Sequence, residues 1–291
     1  MKEIVIISGK GGTGKTSITA SFAALGGRAL VLGDCDVDAA DLHLILSPDY
    51  NNREMFFSGK TAEILSDICV SCGNCYDVCR FGAILRIEAG YQIDALSCEG
   101  CGYCSYVCPE KAIVMEERFS GDFFVSKTRL GSFMVHARLG IGSDNSGKLV
   151  TKVKKEAKRI AIENNKDFLL IDGSPGIGCP VIASLTGADY VIFVTEPTVS
   201  GLHDLVRVYG LVNKFGIKSA CIINKYDINL RISNEIQQFI IEKNIIHLCS
   251  LPYDESFTNS MTEGKAVVEY GKGALSELLK ESWNKLLQII I

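Results

Sequence analysis

Six short runs of the chain are almost continuously apolar: residues 3–8, 29–33, 168–172, 190–195, 220–224 and 247–251. They lack the alternation of a half-exposed strand. Near-continuous apolar runs of this length predict strands buried on both faces, as in a parallel sheet. Between them the apolar spacing turns helical, over residues 16–25, 149–163, 202–215 and 232–243. In the second of these, Val150, Val153, Ala157, Ile160 and Ala161 fall on one stripe. A strand–helix alternation of this kind predicts a doubly wound, mostly parallel α/β domain. Such sheets hold their ligands at the carboxyl ends of the strands. Residues 274–291 read as an amphipathic helix docked on the same domain.

The alternation stops near residue 60 and resumes near 119. The α/β domain is therefore expected to be discontinuous, residues 1–60 plus 119–291, with a separate domain over 61–118. The 291-residue length suits two domains. A composition of 47% hydrophobic and 22% charged residues excludes disordered and fibrous classes. The net charge of −4 is unevenly placed. Residues 61–118 hold nine acids and four bases, while the rest holds 25 acids and 26 bases. An acidic module set in a neutral host argues against nucleic-acid binding. Residues 148–159 carry six bases and one acid, read as the solvated face of a helix. No apolar run reaches the ~20 residues of a membrane span. The chain opens directly into a strand rather than a leader, which points to the cytoplasm.

Gly9-Lys-Gly-Gly-Thr-Gly-Lys-Thr16 fits G-x-x-x-x-G-K-[ST] between a strand and a helix, the context of a P-loop. Gly11, Gly12, Thr13, Gly14 and Ser17 belong to the phosphate cradle, where backbone amides and a helix N-terminus face the anion. Lys15 is expected at the β- and γ-phosphates and the Thr16 hydroxyl on Mg²⁺.

Lys10 adds a second lysine. With it the loop resembles the deviant-Walker P-loop ATPases, the group of MinD, ParA, Mrp and the nitrogenase iron protein. The resemblance implies ATP as ligand and a homodimer closed by ATP, with Lys10 reaching the partner's nucleotide. It extends to Leu30-Val-Leu-Gly-Asp-Cys-Asp36, where Asp36 would orient the attacking water near Mg²⁺; Asp34 and Asp38 stand beside it. Phe168-Leu-Leu-Ile-Asp-Gly-Ser-Pro-Gly176 resembles the Walker B strand and switch II. There Asp172 would hold Mg²⁺ through water and the Gly176 amide would sense the γ-phosphate. Asn224 and Pro252 match the family's base-contacting positions.

The chain has 12 cysteines. Eight form two runs, Cys69-x2-Cys72-x2-Cys75-x3-Cys79 and Cys98-x2-Cys101-x2-Cys104-x3-Cys108-Pro109. This is the bacterial ferredoxin spacing, in which the fourth cysteine of each run ligates the other cluster. Cys69, Cys72, Cys75 and Cys108 are thus expected to hold one 4Fe-4S cluster. Cys79, Cys98, Cys101 and Cys104 are expected to hold the second. Structural zinc takes paired C-x2-C sets instead. Arg80 stands where the first run would often have proline. Of Cys35, Cys179, Cys221 and Cys249, none forms a C-x-x-C pair. Cys179 reads as a small buried residue beside switch II. Histidines 43, 136, 203 and 247 show no ligand spacing.

Taken together, the chain resembles MinD-superfamily ATPases carrying an inserted α+β ferredoxin-like domain. The resemblance implies an ATPase whose nucleotide state gates electron transfer through two clusters to a redox or metalloprotein partner. A cluster or metal-cofactor assembly ATPase and a redox-sensing positioning ATPase are the competing outputs.

Overall fold

The computed structural model describes residues 1–140, 146–271 and 273–290. Residues 141–145 of the polar loop at 140–148, for which the sequence offers no mechanism, lie outside them, as does Ile291.

The elements follow in chain order. They are β1 (Lys2–Ile7), α1 (Lys15–Gly26), β2 (Leu30–Asp34), α2 (Leu42–Leu46), β3 (Asn52–Ile64), α3 (Asn74–Val78), β4 (Ile84–Ile87) and β5 (Gly90–Ile93). Next come α4 (Tyr103–Val107), β6 (Ile113–Lys127), β7 (Phe133–Leu139), α5 (Ser146–Glu163), β8 (Phe168–Asp172), α6 (Cys179–Leu185) and β9 (Tyr190–Thr195). The chain ends with α7 (Val199–Lys214), β10 (Lys218–Asn224), α8 (Leu230–Glu242), β11 (Ile246–Leu251), α9 (Ser256–Thr262), α10 (Val267–Tyr270) and α11 (Ala274–Ile290).

The main sheet runs β11-β10-β9-β1-β8-β2-β7-β6-β3. Pairings from β11 through β7 are parallel. The order reverses around β1, which lies between β8 and β9 and sets a crevice at the carboxyl ends. The six apolar runs are all strands here, and residues such as Ile4, Val5, Leu170 and Ile192 are fully buried.

Three strands of this main sheet were not anticipated. β7 lies in the stretch after residue 118, and β3 and β6 are 13 and 15 residues long with many exposed positions. Their mixed polarity hides them from a search for continuous apolar runs. The described residues fold as two compact units, one built mainly from 1–54, 122–139 and the chain from 146 onward, the other from 55–121.

In the first unit α11 docks through Leu279, Trp283 and Leu286, with Trp283 5.3 Å from the Phe22 ring. The α5 bases are not all solvated, which corrects the sequence expectation. Lys154 is buried, 2.6 Å from the equally buried Glu3, and donates to the Thr186 carbonyl at 2.6 Å. A buried ammonium survives only with its charge and donors satisfied, and β1 and the end of α6 supply those partners. Cys179 is exposed rather than buried.

His136 is 3% exposed, accepts or shares a proton with Ser126 Oγ at 3.1 Å, and stacks on Phe124. Burial, helped by nearby His43, holds its pKa down to about 4. The unfolded imidazole titrates near 6.5, so between those values the unfolded state binds more protons. Stability should therefore fall as pH drops from about 6.5 to about 4, by up to about 1.4 kcal/mol per pH unit. Urea melts at stepped pH check this, and His136→Gln should flatten the slope; an unchanged slope refutes the assignment.

Candidate functional site

In the first unit the loop after β1 wraps a phosphate-sized cradle. Gly14 precedes α1 with φ of +88°, and no side chain caps the helix. The first-turn amides of α1 are thus left for a ligand, with the positive end of the helix dipole behind them. A Cβ at Gly14 would collide with the Asn224 side-chain amide.

Lys15 is almost fully buried at the centre. Its Nζ lies 2.9 Å from Asp172 Oδ1 and 3.3 Å from Asp36 Oδ2. Burial alone would lower its pKa, but Asp172 and Asp36 outweigh that and hold it above its ordinary value. Thr16 Oγ1 donates to Asp172 Oδ2 at 2.8 Å, and Thr19 Oγ1 to Asp172 Oδ1 at 2.7 Å. The register pairs Asp34 with Asp172 across β2 and β8. Burial, then the neighbouring Asp172, pushes the Asp34 carboxyl well above the usual range. Burial likewise raises Asp36, against the pull of Lys15. Thr16, Asp36 and Asp172 supply oxygen donors of the kind Mg²⁺ takes.

The second lysine points elsewhere. Lys10 Nζ is 2.7 Å from Glu196 Oε1, and Lys225 Nζ is 3.0 Å from Glu196 Oε2. Burial would raise the Glu196 carboxyl, but its bonds to Lys10 and Lys225 win and hold it low. Glu196 was not foreseen, being a single acid after a strand, 186 positions from Lys10.

Gly176 has φ of +89° and its amide donates to the Ser8 carbonyl at 2.9 Å. Its N–H is thus engaged with the P-loop. Asn224, at the end of β10, is buried and donates to the Thr13 carbonyl at 2.9 Å. Both Asn224 and the P-loop residues 11–17 line a cavity of about 520 Å³. Tyr253 and Asp254 line it too, one and two positions beyond the sequence candidate Pro252.

In the second unit, Cys79, Cys98, Cys101 and Cys104 line one cavity, of about 360 Å³. Cys69, Cys72, Cys75 and Cys108 line another, of about 20 Å³. Each quartet takes three cysteines from one run and the fourth from the other. All eight are free thiols. Burial pushes the Cys75 and Cys104 thiols up. Backbone amides already face two of the sulfurs: Ala62 N–H donates to Cys98 Sγ at 3.5 Å and Ala112 N–H to Cys108 Sγ at 3.3 Å. Gly100, with φ of +64°, runs so close to the Lys60 carbonyl that a Cβ could not fit. Among the described residues no three His, Cys, Asp or Glu side chains converge on a single metal ion.

With the geometry in view, the comparisons are informative. A profile of the CobQ/CobB/MinD/ParA nucleotide binding domain matches residues 4–267. The chain belongs to this family. It is 33% identical over 291 residues to an uncharacterized protein of Methanocaldococcus jannaschii, covering 99% of this chain and 97% of that one. The septum site-determining protein MinD of Pyrococcus horikoshii, solved with Mg-ADP, shares the fold at a TM-score of 0.61 and 22% identity. That alignment covers 99% of this chain and 96% of the other. Over a shorter span of 50 residues, 17% of this chain and 58% of the other, the identity to pyruvate synthase subunit PorD of Methanothermobacter marburgensis is 44%. The α/β domain is therefore a P-loop nucleotide-binding domain of the MinD/ParA type. No helix among the described residues is long and apolar enough to cross a membrane.

The Asn224 contact makes a test. Asn224→Ala should weaken ATP and inorganic pyrophosphate binding alike, by about tenfold (one hydrogen bond to a buried group, ~1.4 kcal/mol). Titration calorimetry reads both. A loss confined to ATP would show that the side chain serves the base and not the loop.

Proposed function

We propose that this protein is an ATP-hydrolysing iron–sulfur protein in which ATP-driven dimerisation gates electron transfer through two 4Fe-4S clusters. One observation carries the reading. In a chain with a complete P-loop site, eight cysteines divide between two cavities, each quartet drawn three from one run and one from the other. That crossed sharing is the ligand pattern of a two-cluster ferredoxin. A tetrahedral zinc site packs its sulfurs about 3.8 Å apart, whereas a cubane asks for one sulfur at each of four separated corners. The lack of a single-ion site among the described residues therefore does not count against clusters.

The clusters would supply one-electron storage. The chain's own residues do the rest. Cys69, Cys72, Cys75 and Cys108 hold one, and Cys79, Cys98, Cys101 and Cys104 the other. Amides of residues 62 and 112 stabilise the ligating thiolates. In the nucleotide pocket Lys15 neutralises phosphate, Thr16 and Asp172 hold Mg²⁺, and Asp36 orients the attacking water. Solution of the MinD relative with Mg-ADP supports that ligand class.

Lys10 acts on the partner's nucleotide across a homodimer. For that it must leave Glu196, and the second lysine makes the departure inexpensive. Glu196 already lies 3.0 Å from Lys225, which would keep its carboxylate paired once Lys10 leaves. Gly176 must likewise exchange the Ser8 carbonyl for the γ-phosphate, which ties switch II to nucleotide state.

Anaerobically purified protein should contain about eight irons and eight sulfides per chain. Cluster potentials measured with and without ATP should differ by at least about 60 mV, a tenfold change in a one-electron equilibrium. Potentials indifferent to ATP sink the gating, and transfer of clusters to an apo-protein would favour the assembly reading instead. Independently, Lys10→Ala should bind ATP with unchanged affinity yet lose the concentration-dependent part of its hydrolysis, by about 10³-fold if Lys10 behaves like an arginine finger. Undiminished turnover at all protein concentrations refutes the role across the interface.

A further inference from the structure

The second unit is built from two copies of one sequence pattern, and the copies differ on their surfaces. The first run has Asn74 and Asp77 where the second has Tyr103 and Tyr106. The two tyrosines, on α4, stack with ring centroids 6.1 Å apart and planes 15° apart. They are nevertheless 53% and 84% exposed. Tyr103 lines the cavity of the second quartet, as does Phe81, another exposed aromatic ring.

The first quartet is treated differently. Tyr91 lines its cavity and is only partly exposed. Its hydroxyl accepts from Arg86 Nη2 at 3.2 Å, and the guanidinium lies 5.8 Å from its ring centroid. That ring is already engaged, and the cavity measures about 20 Å³ against about 360 Å³ for the other.

Exposed aromatic rings on one cavity are costly to hydrate and mark interaction surfaces. Tyrosine is enriched at interface centres, and a pre-stacked pair has little rotamer freedom left to lose. The charge says what kind of partner fits. Residues 61–118 carry nine acids against four bases, so the excess negative charge belongs to the unit around the cavity, whose own lining holds one residue of each sign, Glu99 and Arg80. A surface of that sign steers a basic protein to it.

The geometry points to Tyr103 and Tyr106, with Phe81, as the docking surface for a basic one-electron redox protein that exchanges electrons at the second quartet and not the first. This rests on the two-cluster reading above. In the exchange one electron leaves the four-iron group held by Cys79, Cys98, Cys101 and Cys104 and reduces the partner's oxidised centre. No covalent bond forms or breaks and no proton moves.

Cytochrome c, a basic one-electron acceptor, is the probe. Calorimetric titration of the oxidised full-length protein with oxidised cytochrome c reads docking without electron flow. Stopped-flow mixing of dithionite-reduced protein with cytochrome c reads the exchange. The small cation hexaamminecobalt(III) serves as an acceptor with no surface to dock. Tyr103→Asn with Tyr106→Asn should weaken cytochrome c binding and slow its reduction, each about tenfold, while reduction of hexaamminecobalt(III) stays within about twofold. Tyr76→Asn, beside the first quartet, should change neither. Should the double variant lose iron, Tyr106→Asn alone, at the more exposed ring, should still slow cytochrome c reduction about threefold. Unchanged binding and rate in an iron-replete variant overturn the surface, as does an equal loss in Tyr76→Asn. Lost self-association with intact cytochrome c binding gives the surface to a second copy of the chain and also overturns the proposal. Absence of iron and sulfide from the wild-type protein is a separate result: it removes the two-cluster reading and this inference with it.

Discussion

The structure is organised around one buried ammonium. Lys15 sits where the carboxyl ends of β1, β2 and β8 meet, and its charge is balanced by Asp172 and Asp36 within 3.3 Å. A lone buried lysine would be untenable, and a lone cluster of three aspartates equally so. Each group makes the other bearable. A Mg-nucleotide entering the cavity brings phosphate charge for Lys15 and a cation for the aspartates. Both sides of the ion pair can then be exchanged at once, with no bare charge left at any stage. Thr16 and Thr19, both bonded to Asp172, keep that carboxylate in place while its partners change.

The same economy recurs at Glu196. Two lysines from distant parts of the chain share it, so either can leave without orphaning the acid. Glu3 is also shared by two lysines, but it lies far deeper. There Glu3 and Lys154 are buried in the first unit, Lys154 is bonded on to the Thr186 carbonyl, and Lys158 lies 3.3 Å from Glu3. A half-buried shared acid suits motion, and a fully buried one suits permanence.

Much of this was legible in the chain, for identifiable reasons. The P-loop carries its own context, since glycine spacing, strand and helix all lie within 25 residues. Runs such as 168–172 and 190–195 coincide with β8 and β9 because strands buried on both faces have no polar positions to blur them. What escaped detection depended on distance or on mixed polarity. β3 and β6 carry polar side chains on exposed positions and so imitate loops, while the short apolar run of β7 is broken by buried His136 and exposed Arg138. Glu196 has no signal of its own, because its meaning lies in a lysine that is far off in sequence and is brought beside it only when β1 and β9 pair. Lys154 looked solvated because five other bases surround it on α5, and only the fold shows that its one stripe turns inward. Asn224 was picked out for the base, and its hydrogen bond to the Thr13 carbonyl, between residues more than 200 positions apart, shows only in the fold.

The cysteine unit bears on the choice between a relay and a carrier. Its buried core is small, made of Ala62, Ala83, Ile84 and Ile113 with Cys75 and Cys98 among them. A core of this size in a unit of fewer than 80 residues needs a staple to be stable. Where a metal group is the staple, its binding energy is part of the folding energy. A carrier must release its cluster to an acceptor, and here release would take the fold of the unit with it. The crossed quartets sharpen the point, because each cavity borrows its fourth sulfur from the other run. On the proposed two-cluster reading, losing one cluster would loosen the ligands of its neighbour. On that reading the arrangement favours clusters that stay and pass electrons over clusters that leave.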